Sequence, residues 1–154
     1  GAVDVVKSTQ CGIVLMHMQR DPQTMQFDPN YEHVVQEVQA FLLERAAIIE
    51  EAGVDPQRIA IDPGFGFGKS LEHNYQLLAH MDAFVEHGYP VLAGLSRKSM
   101  LGKVTNLEVG ERLLPSIAAA ILAVERGAMI VRTHDVPETV SALQVWQATK
   151  EQST

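Results

Sequence analysis

Four short apolar segments, Ile13–Met18, Arg58–Asp62, Pro90–Ser96 and Met129–His134, recur along the chain, and each precedes a stretch with helical periodicity. A helix between two strands carries the chain back to the edge it started from, so such strands lie parallel and cannot form hairpins. Repeated four times, the alternation requires a parallel sheet with right-handed crossovers. The first helix is predicted from Pro29 to Ala52, opened by Asp28-Pro29 and stopped by Gly53, with Val34, Val38, Phe41, Leu42 and Ile49 as its inner stripe. The second runs from the N-cap Ser70 to Gly88 and carries Leu71, Leu77, Leu78, Met81 and Val85. The third is predicted from near Pro115 to Arg126 with Ile117, Ile121 and Val124 inward, its start delayed by the proline. The last follows Asp135 and Pro137 and buries Val140, Leu143 and Trp146.

Polar groups choose between the two architectures that use such units. A flavodoxin-like sheet needs about five strands and a full (β/α)₈ barrel about 250 residues. Here each strand ends in chemistry-bearing side chains: His17 and Gln19, then Asp62, then Ser96 with Arg97 and Lys98, then Arg132 with His134. An open sheet concentrates its site at one switch point, whereas a barrel mouth draws on successive strand ends. The expected fold is therefore α/β, the last four β/α units of a TIM barrel. The longest loops, Gln19–Asp28 and Lys98–Glu111, both follow strand C-termini.

Composition bounds the function. The 154 residues are 46% hydrophobic and 20% charged, as expected of one soluble domain with a sizeable core. A net charge of −7 argues against a general binder of nucleic acid or anionic membranes, although it says little about a single pocket. The single cysteine, Cys11, permits no intrachain disulfide and no Cys-rich zinc motif, and reads as a small core filler. No apolar run approaches the ~20 residues of a membrane span, and the N-terminus lacks a signal-peptide pattern, so the expected location is the cytoplasm.

The densest motif is the run from Asp62 through Pro63, Gly64, Phe65, Gly66, Phe67 and Gly68 to Lys69 and Ser70. Three glycines in five residues let backbone approach a ligand closely. Gly68-Lys69-Ser70 matches the end of a Walker A loop, but Pro63 stands where its first glycine belongs. A Gly-rich surface turn is the plain alternative, and two phenylalanines weigh against it. Asp62 closes an apolar strand at the mouth, where a lone carboxylate suits a planar pair of N–H donors; a structural ion pair or cap is the competing reading. Ser96-Arg97-Lys98-Ser99 reads as an anion or carbonyl site, or as solvated surface. Arg132 and His134 share one strand face and form a plausible phosphate clamp, unless Arg132 pairs with a neighbouring acid. His17 reads as a satisfied core histidine. The other histidines show no metal-ligand spacing, and Glu44, Glu50 and Glu51 read as a solvated helix face.

Together these motifs, with Leu15-Met16-His17-Met18-Gln19, Pro22 and Thr24-Met25-Gln26 ahead of them and Val136 behind, resemble dihydropteroate synthases in order and spacing over essentially the whole chain. The resemblance implies a TIM barrel that condenses 6-hydroxymethyl-7,8-dihydropterin pyrophosphate with p-aminobenzoate, giving 7,8-dihydropteroate and pyrophosphate in folate biosynthesis. It implies that Asp62, Lys98, Met16, Phe67 and Gly94 hold the pterin and that Arg132 and His134 bind the pyrophosphate. Pro63, Phe67, Ser96, Arg97 and Lys98 would border the p-aminobenzoate pocket, which is also the sulfonamide site. Lys98, Arg132 and His134 would be the catalytic groups. The resemblance further implies a homodimer and a magnesium ion whose ligand is expected upstream, with none in this segment. The family's chain is nearly twice as long, so residues 1–154 are expected to be a single barrel domain truncated at its N-terminal side, starting within a helix at Ala2–Gln10 and inactive alone. A P-loop-like nucleotide binder and a non-catalytic half-barrel module are the rival readings.

Overall fold

The computed structural model describes residues 1–19 and 29–152. Helix α1 (Ala2–Ser8) leads into strand β1 (Ile13–Met16), helix α2 (Val34–Glu51), strand β2 (Ile59–Asp62), helices α3 (Leu71–Ala79) and α4 (Asp82–Val85), and strand β3 (Leu92–Ala93). Helices α5 (Ser99–Thr105) and α6 (Leu113–Glu125), strand β4 (Ile130–Val131) and helix α7 (Val136–Glu151) complete the order. β1 pairs parallel with β2, placing Met16 opposite Asp62, and β3 pairs parallel with β4, placing Leu92 opposite Ile130. A parallel bridge between Ile61 and Val91 joins the two pairs, so the strands lie side by side in chain order. The ladder extends past the regular strands, since His17 N–H donates to the Asp62 carbonyl and Arg132 N–H to that of Ala93, both at 3.0 Å.

Strand alternation separates two faces. Leu15, Ile61, Val91 and Ala93 pack outward against Val38, Leu42, Leu77 and Phe84, which form the main core beneath the helices. Val14, Met16 and Ile130 point to the opposite face and remain exposed, Val14 at 49%. Helices α2, α3, α5, α6 and α7 touch their neighbours in that order around the outer layer.

The helices depart from the periodicity in instructive ways. α2 begins at Val34, later than Pro29, and the expected opening at Asp28 lies outside the described residues, as does most of the Gln19–Asp28 loop. Its buried stripe is Val34, Val38, Leu42 and Ala46, with Phe41 and Ile49 only half-buried. The predicted second helix breaks at His80–Met81 into α3 and α4, and Met81 is fully buried at the break. α6 starts two residues before Pro115, because the first turn of a helix has no use for the N–H that proline lacks. Its buried face is Ser116, Ala119, Ala120 and Ala123, small side chains that allow close packing, while Ile117, Ile121 and Val124 sit half-buried beside them. α7 buries only Thr139; Val140 is exposed, and Leu143 and Trp146 are half-buried. Cys11 is exposed rather than a core filler.

Candidate active site at the strand ends

Asp62 ends β2 almost wholly buried, and its Oδ1 accepts the Gly64 N–H at 2.7 Å. The chain then turns through Gly64, Gly66 and Gly68, all at positive φ. At Gly64 a Cβ would stand 1.9 Å from the His17 carbonyl oxygen, so only glycine fits between the loop and β1. The loop is braced from within. The buried Lys69 ammonium donates to the carbonyls of Gly64 (2.9 Å) and Phe67 (3.0 Å) and meets His17 Nδ1 at 2.9 Å. Asn74 Oδ1 accepts the Gly66 N–H at 2.7 Å, and the Tyr31 hydroxyl donates to the Gly68 carbonyl at 2.8 Å. A P-loop lysine must reach outward to phosphates. Lys69 points inward, so the Walker-like reading of this loop is wrong despite its spelling.

The second wall comes from the ends of β3 and β4. Lys98 holds its ammonium 4.2 Å from the centroid of the Phe67 ring. The Arg132 guanidinium passes over Gly94, where a Cβ would lie 2.7 Å from Nη2. Ser96 Oγ accepts the His134 N–H at 3.2 Å and lies 2.9 Å from His134 Nδ1, which leaves Nε2 as the ring's outward nitrogen. A cavity of 510 Å³ opens here, lined by Gly94, Ser96, Arg97, Lys98, Arg132 and His134. Among the described residues the Arg132 guanidinium makes no hydrogen bond or ion pair, which removes the reading of a structural pair. Met16 shares the register position and face of Asp62.

Two of the predicted site residues are placed differently. Pro63 is fully buried behind the loop and offers no surface to a ligand. The Arg97 fork is engaged by both carboxylate oxygens of Asp135. Arg97 itself stands at φ +58, held there by its N–H to Ser116 Oγ (2.9 Å) and by Arg112, which donates to its carbonyl at 3.1 Å.

The electrostatics follow from burial. Desolvation pushes the Asp62 carboxyl above its usual range, opposed by the Gly64 N–H and by the charges of Arg132, Lys69 and Lys98. Burial pulls Lys69 down to about 7 against the attraction of Asp62. His17 is lowered to about 4 by burial and by Lys69, and its ring stands edge-on to Phe41, consistent with a neutral core imidazole. Burial lowers Lys98 as well, helped by Arg132. The mouth thus gathers one buried carboxylate and two cations without an ion pair among the described residues, Lys98 and Arg132, an arrangement suited to a flat heterocycle with a donor edge and an attached polyanion.

The model of pterin-binding enzymes matches residues 1–134. The chain belongs to the pterin-binding enzyme family. Among its relatives, the dihydropteroate synthase of Haemophilus influenzae is 53% identical over 137 residues, covering 89% of this chain and 50% of that protein. A solved structure of the Yersinia pestis dihydropteroate synthase with a sulfonamide drug superposes with a TM-score of 0.96 at 40% identity, over 99% of this chain and 56% of that one. The Xanthomonas albilineans dihydropteroate synthase in complex with 7,8-dihydropteroate gives a TM-score of 0.91 at 50% identity, over 97% and 53%. The chain spans about half the length of the curated relatives it matches. As a pterin-binding enzyme it carries the fold of the last four β/α units of a TIM barrel. No described helix is long and apolar enough to cross a membrane.

Three residues of the site escaped the sequence reading. Lys69, Asn74 and Tyr31 form the inner brace, yet in the sequence Lys69 stands out only as part of a Walker-like ending, and Asn74, on α3, and Tyr31 carry no signal of their own. The one available signal was chemical: a turn that buries its carbonyls needs donors inside it.

Proposed function

We propose that this chain forms the pterin- and pyrophosphate-binding side of a dihydropteroate synthase, in a barrel domain of which residues 1–154 are the C-terminal part. The observation that carries the reading is the buried Asp62 carboxylate within electrostatic reach of Lys98 and Arg132, two cations that line the neighbouring cavity and form no ion pair among the described residues. Asp62 accepts from the amino and ring N–H groups of the pterin, and Lys98 donates to its carbonyl side. Met16, Phe67 and Gly94 form the slot around the ring. Arg132 and His134 hold the pyrophosphate.

In the reaction, the bond between the pterin methylene carbon and the pyrophosphate oxygen breaks, and the p-aminobenzoate nitrogen bonds to that carbon. The arylamine is neutral near pH 7 and gives up its proton as the new C–N bond forms. Stabilising the departing pyrophosphate is therefore the main demand on the protein, and the guanidinium of Arg132 with the His134 imidazole meets it. Phe67, Ser96, Lys98 and the Arg97 backbone border the p-aminobenzoate side. Magnesium would neutralise further phosphate charge. Among the described residues no group of three His, Cys, Asp or Glu side chains is placed to hold a metal. A homodimer in the cytoplasm completes the reading.

The test joins this chain behind the N-terminal half of a full-length relative and titrates a non-phosphorylated pterin analogue calorimetrically. Saturable binding of one pterin per chain is expected. A folded protein that binds none overturns the reading.

A further inference from the structure

We propose that Lys69 is a positioning residue for pterin recognition, holding the Gly64–Gly68 loop in shape from inside and keeping a positive charge beside the Asp62 carboxylate. The inference rests on the pterin reading of Asp62 and extends it to a side chain that touches no ligand. Lys69 is 4% exposed, and its ammonium is taken up by the Gly64 and Phe67 carbonyls and His17 Nδ1, with the His17 carbonyl at 3.5 Å. The Gly64 carbonyl also accepts the Phe67 N–H at 3.1 Å, so one buried ammonium braces the turn that carries the Phe67 ring beneath the other. A buried ammonium needs compensation for its lost water, and a loop of inward carbonyls alone supplies no opposite charge. Asp62 supplies one from across Gly64, whose N–H its Oδ1 accepts at 2.7 Å while Lys69 donates to the Gly64 carbonyl at 2.9 Å, and each group favours the charged form of the other.

The groups that face Asp62 define what its titration can sense. They are the Gly64 N–H and Lys69 in its own loop, Lys98 after β3 and Arg132 after β4, with His17 of β1 acting through Lys69. Asp62 must be ionised to accept pterin N–H groups, and burial already opposes that. Removing the Lys69 charge raises the Asp62 pKa further, so pterin binding fails at a higher pH as the solution is acidified.

The experiment uses the completed protein described above and measures binding of the same pterin analogue from pH 5 to pH 8. Lys69→Met removes charge and donors together; Lys69→Gln keeps two N–H donors and removes the charge. Both are expected to move the acid midpoint of binding upward, with a loss of about tenfold at the acid end. Lys69→Gln is expected to retain more affinity than Lys69→Met at pH 8. Should neither variant fold, the ¹⁵N resonance of the Lys69 ammonium in the unsubstituted protein decides: a shift on adding the analogue supports the proposal, and an unmoved resonance overturns it. An unchanged midpoint, with affinity lowered by one factor at every pH, reduces Lys69 to a structural role and overturns the proposal. Absence of pterin binding by the unsubstituted protein instead counts against the pterin reading itself.

Discussion

The loop after β2 and the two outer strand edges are opposite solutions to the same problem of burying backbone and apolar surface. The loop closes on itself: its amides and carbonyls are taken up by Asp62, Lys69, Asn74 and Tyr31, and Phe65 is fully buried beneath it. The edges do not. β1 leaves Val14 and Met16 open, while Met129 (72% exposed) and Ile130 are open at β4. Beside β4 an apolar groove of 580 Å³ runs along α7, lined by Val131, Val140, Leu143 and Trp146 among others. Unpaired strand edges with exposed apolar neighbours are uncommon in stable monomers. The contrast teaches that the loop is completed by groups of this chain, while the strand edges leave apolar surface uncovered among the described residues.

The largest expected effect sets core against edge. Phe84→Ala should cost about 3–5 kcal/mol of stability by opening a cavity between the helices and the sheet, since Phe84 is completely buried. Val14→Ala in the isolated chain should cost under about 0.5 kcal/mol, and clearly more in the completed protein. Urea titration of these variants beside their unsubstituted parents checks this. Equal costs for Val14→Ala in both contexts would show that β1 gains no partner.

A smaller effect is expected inside the site. Asp62→Asn keeps the shape but turns one acceptor into a donor facing the pterin N–H edge, which should weaken pterin-analogue binding by about 2–4 kcal/mol. Calorimetry reads it in the completed protein. Unaltered affinity would remove Asp62 as the anchor and leave its burial unexplained.

How much of this was legible in the sequence depended on the physics at each position. Apolar β-branched runs located all four strand centres, and alternation put Arg132 and His134 on one face because the pleat has period two; that Met16, Asp62 and Gly94 share a face with Arg132 needed the strand registers. Strand ends shrank relative to expectation at β3 and β4, where two residues each keep regular pairing. The Lys69 brace was illegible because charge alone marks a lysine as exposed, and only tertiary contact with β1 shows where it goes. α5 was missed inside a predicted loop. It is one short helix whose Gly102 lets the Arg112 guanidinium pass within 2.3 Å of where a Cβ would be, and Arg112 in turn secures Arg97. The inward face of α7 was overstated, since in this chain it packs chiefly on α6.

The smallest expected effect separates ring from polyanion. Arg132→Lys preserves charge but loses the planar fork, so pyrophosphate binding should weaken by about 1–2 kcal/mol while a pterin lacking phosphates binds as before. Competition titrations with both ligands distinguish them. Equal losses would make Arg132 part of the pterin slot.

The most direct measurement is dihydropteroate formation from pterin pyrophosphate and p-aminobenzoate, assayed at matched concentrations for the 154-residue chain alone and for the chain joined to an N-terminal half, with sedimentation equilibrium on both. The account predicts turnover by the joined protein only, and self-association of the isolated chain through its open edges. Turnover by a monomeric isolated chain would contradict it, because the four strand ends would then suffice without enclosure. So would a folded, pterin-binding joined protein that makes no dihydropteroate.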